Sequence, residues 1–143
     1  MNDASGQLSV KGQEHWTNKG PAKLFMWEKR APGGPKKGTI LFVHGSSMAS
    51  QPTFDLQVPG RAGAMDYFVA QGFDTWSVDM EGYGRSTKDR GLDATISEGA
   101  DDCAAASEYI MKIACSATET ELAVPATISG MPRAVSAGTS TAS

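Results

Sequence analysis

Several residue types that functional sites commonly use are scarce in this chain. Its 143 residues include two histidines and two cysteines, and no histidine follows His44. Lysine and arginine number 13 against 16 acidic residues, a formal net charge of −3, so no basic surface for nucleic acid is expected. The longest apolar run, from Ile40 to Val43, is far shorter than the ~20 residues of a membrane span. We therefore expect neither nucleic acid nor a membrane as a partner.

The amino terminus and the cysteines bear on the compartment. Residues 1–6 show no basic region followed by an apolar stretch, so we predict no secretory signal and a cytoplasmic protein. Cys103 and Cys115 lie near the apolar stripe of one predicted helix, and we interpret them as buried free thiols in a reducing compartment. Because His15 and His44 are distant from them in sequence, no metal site is predicted. No cofactor is predicted either.

The first half of the chain has the character of strands. Two extended segments between residues 13 and 29 surround an Asn-Lys-Gly-Pro turn and predict an antiparallel hairpin. The segment 39–44 is nearly all apolar, which is typical of a central strand covered on both faces. Residues 45–62 predict a long loop, in which Pro52 opposes a helix. Loops of this length inside a compact domain are usually functional.

A helix and a strand follow the long loop. Met65, Phe68 and Val69 share one face of a helix predicted over 64–71, with Gly72 as its left-handed cap. The next strand, predicted over 73–79, completes a strand–helix–strand crossover with parallel pairing.

The last predicted element is a helix over residues 97–114 with one apolar stripe. Thr95 and Glu98 are placed to form a capping box at its start. After Cys115 the chain is rich in Ala, Ser and Thr, and Pro125 and Pro132 interrupt any regular element. Such composition cannot bury enough apolar surface to offset its ordering entropy. We predict one domain over 13–115, a disordered N-terminus over 1–12 and a disordered tail over 116–143.

Two motifs give the chain a family resemblance. The predicted strand 39–44 ends in His-Gly-Ser-Ser, and the strand 73–79 runs into Asp-Met-Glu-Gly-Tyr-Gly-Arg-Ser over residues 79–86. With the hairpin and the helix ending in Gly72, these motifs make residues 13–114 resemble the N-terminal half of an α/β-hydrolase-fold enzyme of the serine-hydrolase type. The resemblance implies an α/β fold with an incomplete α/β-hydrolase sheet: an antiparallel hairpin, then parallel strands with crossover helices. The resemblance also implies that the C-terminal part of such an enzyme is missing or altered in this chain.

The resemblance also implies an oxyanion hole. In that family the residue after the His-Gly pair donates a backbone N–H to the oxyanion, and here that residue is Ser46, with Ser47 next in line. Preorganised donors of this kind stabilise the charge of a tetrahedral intermediate. The alternative is an ordinary glycine turn after a buried strand. We interpret His44 as a structural histidine at the strand end and His15 as a surface residue of the hairpin.

No nucleophile, catalytic acid or base is found. Ser47 and Ser136 each sit in a relaxed version of the Gly-x-Ser-x-Gly elbow, but Pro52 denies a helix after Ser47, and Pro132 stands where a strand should precede Ser136. The family order is nucleophile, acid, then histidine, and no histidine follows His44 to complete it. A serine without a base is a weak nucleophile at neutral pH.

The glycine-rich segment 79–86 is better explained by turn chemistry than by phosphate binding. Asp79 is placed to accept backbone N–H bonds, and Gly82 and Gly84 permit positive φ, with Ser86 ending the motif. A phosphate-cradling loop would need a third glycine and a helix start that this segment lacks. A nucleotide-binding domain is likewise disfavoured, because no glycine-rich turn opens a helix after the first parallel strand.

These observations leave two functions open. The first is a protein derived from an α/β-hydrolase whose parent acts on an ester, amide or related acyl substrate, with this chain inactive alone. The second is a non-catalytic α/β binding or interaction module. A sheet that lacks its next strand exposes unpaired backbone groups, so self-association through that edge is expected. The small-molecule substrate of the full-length relative is not indicated by any residue.

Overall fold

The computed structural model describes residues 10–35, 37–91 and 95–121, with side chains of the last helix up to Ser116. The segments 1–9 and 122–143, which include most of the predicted disordered ends and Ser136, lie outside the described residues. Four strands and three helices form in this order: β1 (Gln13–Lys19), β2 (Ala22–Lys29), β3 (Gly38–Val43), α1 (Ser50–Phe54), α2 (Ala64–Ala70), β4 (Phe73–Val78) and α3 (Ile96–Glu121).

The strands form one mixed sheet in the order β1-β2-β4-β3. β1 and β2 are the predicted antiparallel hairpin, and β2 pairs antiparallel with β4. β3 and β4 pair in parallel across the connection that contains α2, as the crossover pattern predicts. The fold is therefore α/β, consistent with the incomplete α/β-hydrolase sheet that the resemblance implies.

The place of β3 differs from the prediction of a strand covered on both faces. Within the described residues it is an edge strand, and Val43 is 41% exposed. Its register partner Val78 in β4 is fully buried. The apolar run was a correct signal for a strand, but it carries no information about which neighbours cover that strand.

Helices pack on both faces of the sheet. Alternate residues of β2 and β4 point to α3 and form the core with it; this cluster contains Leu24, Met26, Trp76, Val78, Ala106 and Ile110. The opposite face receives α2 through Met65 and Val69, which are buried, while Phe68 is half-buried. The period of two along each strand separates the two sets.

A buried charge cluster ties the segment between β3 and α2 to the sheet. Lys29 Nζ lies 2.5 Å from Asp55 Oδ1 and 2.7 Å from Asp66 Oδ1, and all three side chains are at most 4% exposed. The indole N–H of Trp27 donates to Asp55 Oδ2 at 2.8 Å. Removing one member of such a cluster leaves buried charge uncompensated, which makes the cluster a strong constraint on the chain path.

Two helix boundaries depart from the prediction. Residues Ser50–Phe54 form the short helix α1 inside the predicted loop, although Pro52 was expected to prevent a helix. Pro52 lies in the first turn, where a missing N–H costs nothing because that group has no intrahelical acceptor. Helix α3 extends to Glu121, beyond the predicted end at residue 114. None of the helices among residues 10–121 that are described is long and apolar enough to cross a bilayer.

The start of α3 shows half of the predicted capping box. The N–H of Glu98 donates to Thr95 Oγ1 at 3.2 Å, as expected for a capping threonine. The carboxylate of Glu98 does not reach back to the cap. It binds Lys19 of β1 at 2.8 Å instead, so a tertiary ion pair replaces the reciprocal contact.

Candidate functional site

A cleft of about 430 Å³ opens beyond the carboxyl ends of β3 and β4. Such crevices are where α/β sheets commonly bind ligands. The first half of α3 forms the opposite wall. The apolar part of the lining comes from Val43, Met80, Tyr83, Ile96, Ala100 and Cys103.

The His-Gly-Ser-Ser turn lies at this cleft. Ser46 contributes to its lining, whereas Ser47 does not. The Ser46 carbonyl accepts a hydrogen bond from the Tyr83 hydroxyl at 2.9 Å, which ties the turn to the loop after β4. In the part of the chain that the structure describes, the backbone N–H groups of Ser46 and Ser47 donate no hydrogen bond. They are thus available donors on an anchored turn.

His44 anchors this turn. Its Nδ1–H donates to the Gly45 carbonyl at 2.7 Å, and its Nε2 accepts from the Met80 N–H at 3.0 Å. The ring is therefore neutral, and the residue is 3% exposed. Both nitrogens are engaged with the backbone, which agrees with the interpretation of a structural histidine.

Asp79 organises the loops on either side of the cleft. Its Oδ1 accepts from the N–H and the hydroxyl of Ser50, each at 2.7 Å, and its Oδ2 accepts from the Arg85 N–H at 2.9 Å. Gly84 has φ of +50°, and a Cβ there would overlap the Asp79 carboxylate. The buried Ser86 hydroxyl accepts from Phe25 N–H at 2.8 Å and donates to the Asp79 carbonyl. Residues 79–86 thus form a hydrogen-bonded turn, the Asp79 turn, that holds the neighbouring segments in place, as its turn chemistry predicts.

An ion-paired wall closes one side of the cleft. Lys19 Nζ lies 2.7 Å from Asp102 Oδ1, 2.8 Å from Glu98 Oε2 and 3.0 Å from Glu81 Oε2. Burial alone lowers the pKa of Lys19, but the hydrogen bonds that it donates to the three carboxylates raise it above its ordinary value. The hydrogen bond from Lys19 lowers the pKa of Glu98. The three carboxylates are therefore held in place around one cation.

The cysteines are free thiols, as predicted. Cys103 is half-buried in the cleft, and burial together with the charge of Asp102 raises the pKa of its thiol, which disfavours the nucleophilic thiolate. Cys115 is exposed rather than buried. Across the described residues, no group of three or more His, Cys, Asp or Glu side chains is arranged to hold a metal ion.

His15 does not lie on the surface as expected. Its side chain is 9% exposed and packs against the Trp76 ring at a centroid distance of 4.6 Å. Nε2 lies 2.8 Å from Glu28 Oε2, and Nδ1 lies 3.1 Å from the Tyr109 hydroxyl. The hairpin pattern does not show that α3 covers this face of β1.

The cleft places backbone donors beside apolar walls. Both imidazoles make their hydrogen bonds away from Ser46 and Ser47. Among the described residues, the cleft thus combines apolar walls and available backbone donors, and neither imidazole is hydrogen-bonded to a serine hydroxyl. The lysine and carboxylate wall is not visible in the sequence, because Lys19 lies 62 or more residues from each of the three carboxylates and shares no local motif with them.

Comparison with known proteins gives structural likeness alone. No protein-family model matches the chain, and no curated protein matches it. The solved structure of the 2-hydroxy-6-oxo-6-phenylhexa-2,4-dienoate hydrolase (BphD) from Rhodococcus sp. strain RHA1 is similar at 15% identity and a TM-score of 0.44, over 66% of this chain and 30% of that one. A predicted CIB-like hydrolase from Thermoplasma acidophilum is similar at 18% identity and a TM-score of 0.35, over 58% of this chain and 39% of that one. The chain thus spans well under half the length of either protein.

Proposed function

We propose that this chain is the N-terminal part of an α/β-hydrolase scaffold, and that its cleft binds a small acyl compound, an ester or amide, without hydrolysing it efficiently. The observation that carries the proposal is the anchored turn at the cleft. Ser46 lines the apolar cavity, and the N–H groups of Ser46 and Ser47 are unused within the described chain. Such donors suit a carbonyl oxygen that gains negative charge.

The lack of turnover follows from the histidines. A serine hydroxyl needs a base within hydrogen-bond reach to become a strong nucleophile. His44 is bonded to the Gly45 carbonyl and the Met80 N–H, and His15 to Glu28 and Tyr109. We propose that the parent activity of such a scaffold, hydrolysis of an acyl substrate, requires groups that this chain does not supply.

Amide-resolved NMR tests the binding. Titration with methyl butyrate, an unactivated ester, should shift the backbone N–H signals of Ser46 and Ser47 in the intact chain. Cys103→Trp fills the cleft and should abolish these shifts. Met111→Trp is the matched control, because Met111 lies on the same helix but is 59% exposed and outside the cleft lining. Shifts that persist in Cys103→Trp would place the ester elsewhere and overturn the proposal.

Turnover is tested separately. With 4-nitrophenyl butyrate, release of nitrophenol beyond one equivalent should stay at the rate of the buffer and be insensitive to Ser46→Ala and Ser47→Ala. Saturable multiple turnover that one of these substitutions abolishes would contradict the proposed inactivity.

A second candidate is an interaction module that associates through β3. The observation in its favour is the composition of this edge. β3 has no charged residue and no proline, whereas natural edge strands are usually protected by such residues. Light scattering over a concentration series should show association in the wild-type chain and a monomer in Val43→Lys. A wild-type chain that stays monomeric at all concentrations would reject this candidate.

A further inference from the structure

Three side chains from three elements stand in line on the α3 face of the sheet, outside the cleft. Tyr109 of α3 contacts His15 of β1, and His15 contacts Glu28 of β2. The Tyr109 hydroxyl lies 3.1 Å from Nδ1, and Glu28 Oε2 lies 2.8 Å from Nε2. The order is hydroxyl, imidazole, carboxylate, which is the order of an activated nucleophile.

The donor chemistry sets the direction of these hydrogen bonds. An ionised carboxylate can only accept, so the Nε2–H of the neutral ring donates to Glu28. In the neutral imidazole the lone pair of Nδ1 then faces the Tyr109 hydroxyl, which donates to it. Glu28 is 1% exposed and its Oε1 accepts from Arg30 Nε at 2.5 Å, so the carboxylate is paired with a cation and held in place. Glu28 is thus a positioning residue for the imidazole.

The ring of His15 is held by packing as well. It contacts Trp76 at 4.6 Å and Tyr109 at 5.8 Å between ring centroids. Tyr109 itself is half-buried, so part of it meets solvent. The chain has two further tyrosines, and neither has such a partner. Tyr67 is 58% exposed, and the Tyr83 hydroxyl donates to a carbonyl.

We propose that Tyr109 is a nucleophilic phenol that accepts an acyl group from an activated aryl ester. In this step the Tyr109 oxygen bonds to the acyl carbon while the bond from that carbon to the aryl oxygen breaks. The phenolic proton moves to His15 Nδ1 and then to the departing aryloxide, which leaves as the neutral phenol. Glu28 stabilises the transient imidazolium. The products are acyl-Tyr109 and one equivalent of phenol, and the step does not involve the cleft.

Peptide mass spectrometry after treatment with 4-nitrophenyl acetate tests the proposal. Acetylation of Tyr109 should be at least about tenfold faster than that of Tyr67 in the same sample, because general-base assistance contributes ~10²-fold or more. His15→Phe keeps a ring against Trp76 but removes the base, and should bring Tyr109 down to the Tyr67 rate while Tyr67 is unchanged. Tyr67→Phe, the matched control, should leave the Tyr109 rate unaltered.

Two outcomes would overturn the proposal: labelling that follows exposure, with Tyr67 ahead of Tyr109, or a Tyr109 rate that His15→Phe does not change. Tyr109→Phe removes a single hydroxyl and covers the case in which His15→Phe does not fold. It should abolish the one-equivalent burst of nitrophenol, and an unchanged burst would contradict the proposal. Methyl butyrate binding at Ser46 should survive in Tyr109→Phe, so failure of this inference and failure of the cleft proposal are distinguishable.

The role of Glu28 has its own readout. The ¹⁵N shifts of the His15 ring report which nitrogen carries the proton, and the wild-type ring should show the Nε2–H form. Glu28→Gln should disturb this signature and slow Tyr109 acetylation relative to Tyr67. A wild-type ring with its proton on Nδ1 would rule out the proposed acceptor.

Discussion

β3 and β4 pair in parallel, and the more apolar of the two strands, β3, is the less buried. β3 reads Gly-Thr-Ile-Leu-Phe-Val and is nowhere fully buried. β4 carries Asp74, Thr75 and Ser77, and all three are buried. A strand is buried when elements cover both faces and both edges, and β4 has β2 and β3 at its edges and helices on its faces. The comparison shows that apolar content predicts a strand but does not predict whether the strand is central or at the edge of the sheet.

The largest expected effect concerns the charge cluster that covers β2 next to β4. Lys29→Met removes the cation between two buried carboxylates and should cost about 3–5 kcal/mol of unfolding free energy. Lys37→Met, at the exposed entry to β3, should cost less than ~0.5 kcal/mol. Urea denaturation followed by tryptophan fluorescence measures both.

A variant that fails to fold is also informative here. If Lys29→Met is unfolded, adding Asp55→Asn and Asp66→Asn should restore folding, because no buried charge then lacks a partner. Equal losses in Lys29→Met and Lys37→Met would show that burial does not distinguish these two positions.

A second, smaller effect compares register partners directly. Val43 and Val78 face each other across β3 and β4, and they are 41% and 0% exposed. Val78→Ala should cost about 2 kcal/mol through lost burial and a residual cavity, and Val43→Ala less than ~0.5 kcal/mol. The same denaturation experiment checks the pair. A similar loss at both positions would mean that β3 is covered in solution and is not an exposed edge strand.

A third effect concerns the Asp79 turn that follows β4. Gly82 and Gly84 both have positive φ, +90° and +50°, so alanine is strained at each. A Cβ at Gly84 also overlaps the Asp79 carboxylate, whereas a Cβ at Gly82 meets nothing within 4 Å. Gly84→Ala should therefore cost about 1 kcal/mol more than Gly82→Ala, since an Asp79 hydrogen bond must break. Thermal melts of the two variants measure the difference. Identical melts would contradict the close packing of Gly84 against the Asp79 carboxylate.

The smallest effect is a pH dependence within β4. Burial raises the pKa of Asp74 above its ordinary value of 3.8, although the hydrogen bond from the Ala31 N–H and the charge of Arg30 oppose this. Because the folded pKa exceeds the unfolded one, the contribution of Asp74 to stability is greatest at low pH and is lost as pH rises through the folded pKa. As the pH rises above ~4, the unfolding free energy of wild type should thus fall relative to that of Asp74→Asn.

Melts from pH 3 to pH 7 would check this sign. Thr39→Ser, at the exposed register partner of Asp74 in β3, serves as the control and should track wild type at every pH. A difference that moves in favour of wild type as pH rises would contradict the assignment.

Much of the fold could be predicted because its signals are local. The hairpin turn at Gly20, the cap at Gly72 and the threonine cap at Thr95 each depend on residues within one turn of chain. The one-turn helix around Pro52 is not indicated by the sequence, because a proline disfavours a helix interior but is tolerated in the first turn. The place of His15 was missed because its cover, α3, lies 94 residues away at Tyr109.

The candidate site divides in the same way. That Ser46 follows a strand and a His-Gly pair is visible in the sequence, as is the absence of a later histidine. That Tyr83 anchors Ser46, or that Lys19 joins three carboxylates at the cleft, is not visible, because no spacing rule connects positions in separate elements. The role of Ser46 and Ser47 as oxyanion donors stays a prediction.

The amino-acid order alone determined the identity of the strands, the parallel crossover, the turn chemistry around Asp79 and the shortage of imidazole bases. These properties follow from backbone conformational preferences and hydrophobic period, which act over a few residues. The burial ranking of β3 and β4, the ion-paired wall at Lys19 and the Tyr109–His15–Glu28 line were decided by tertiary packing. Burial and proton affinity depend on which groups converge in space, and that convergence is a property of the folded chain as a whole.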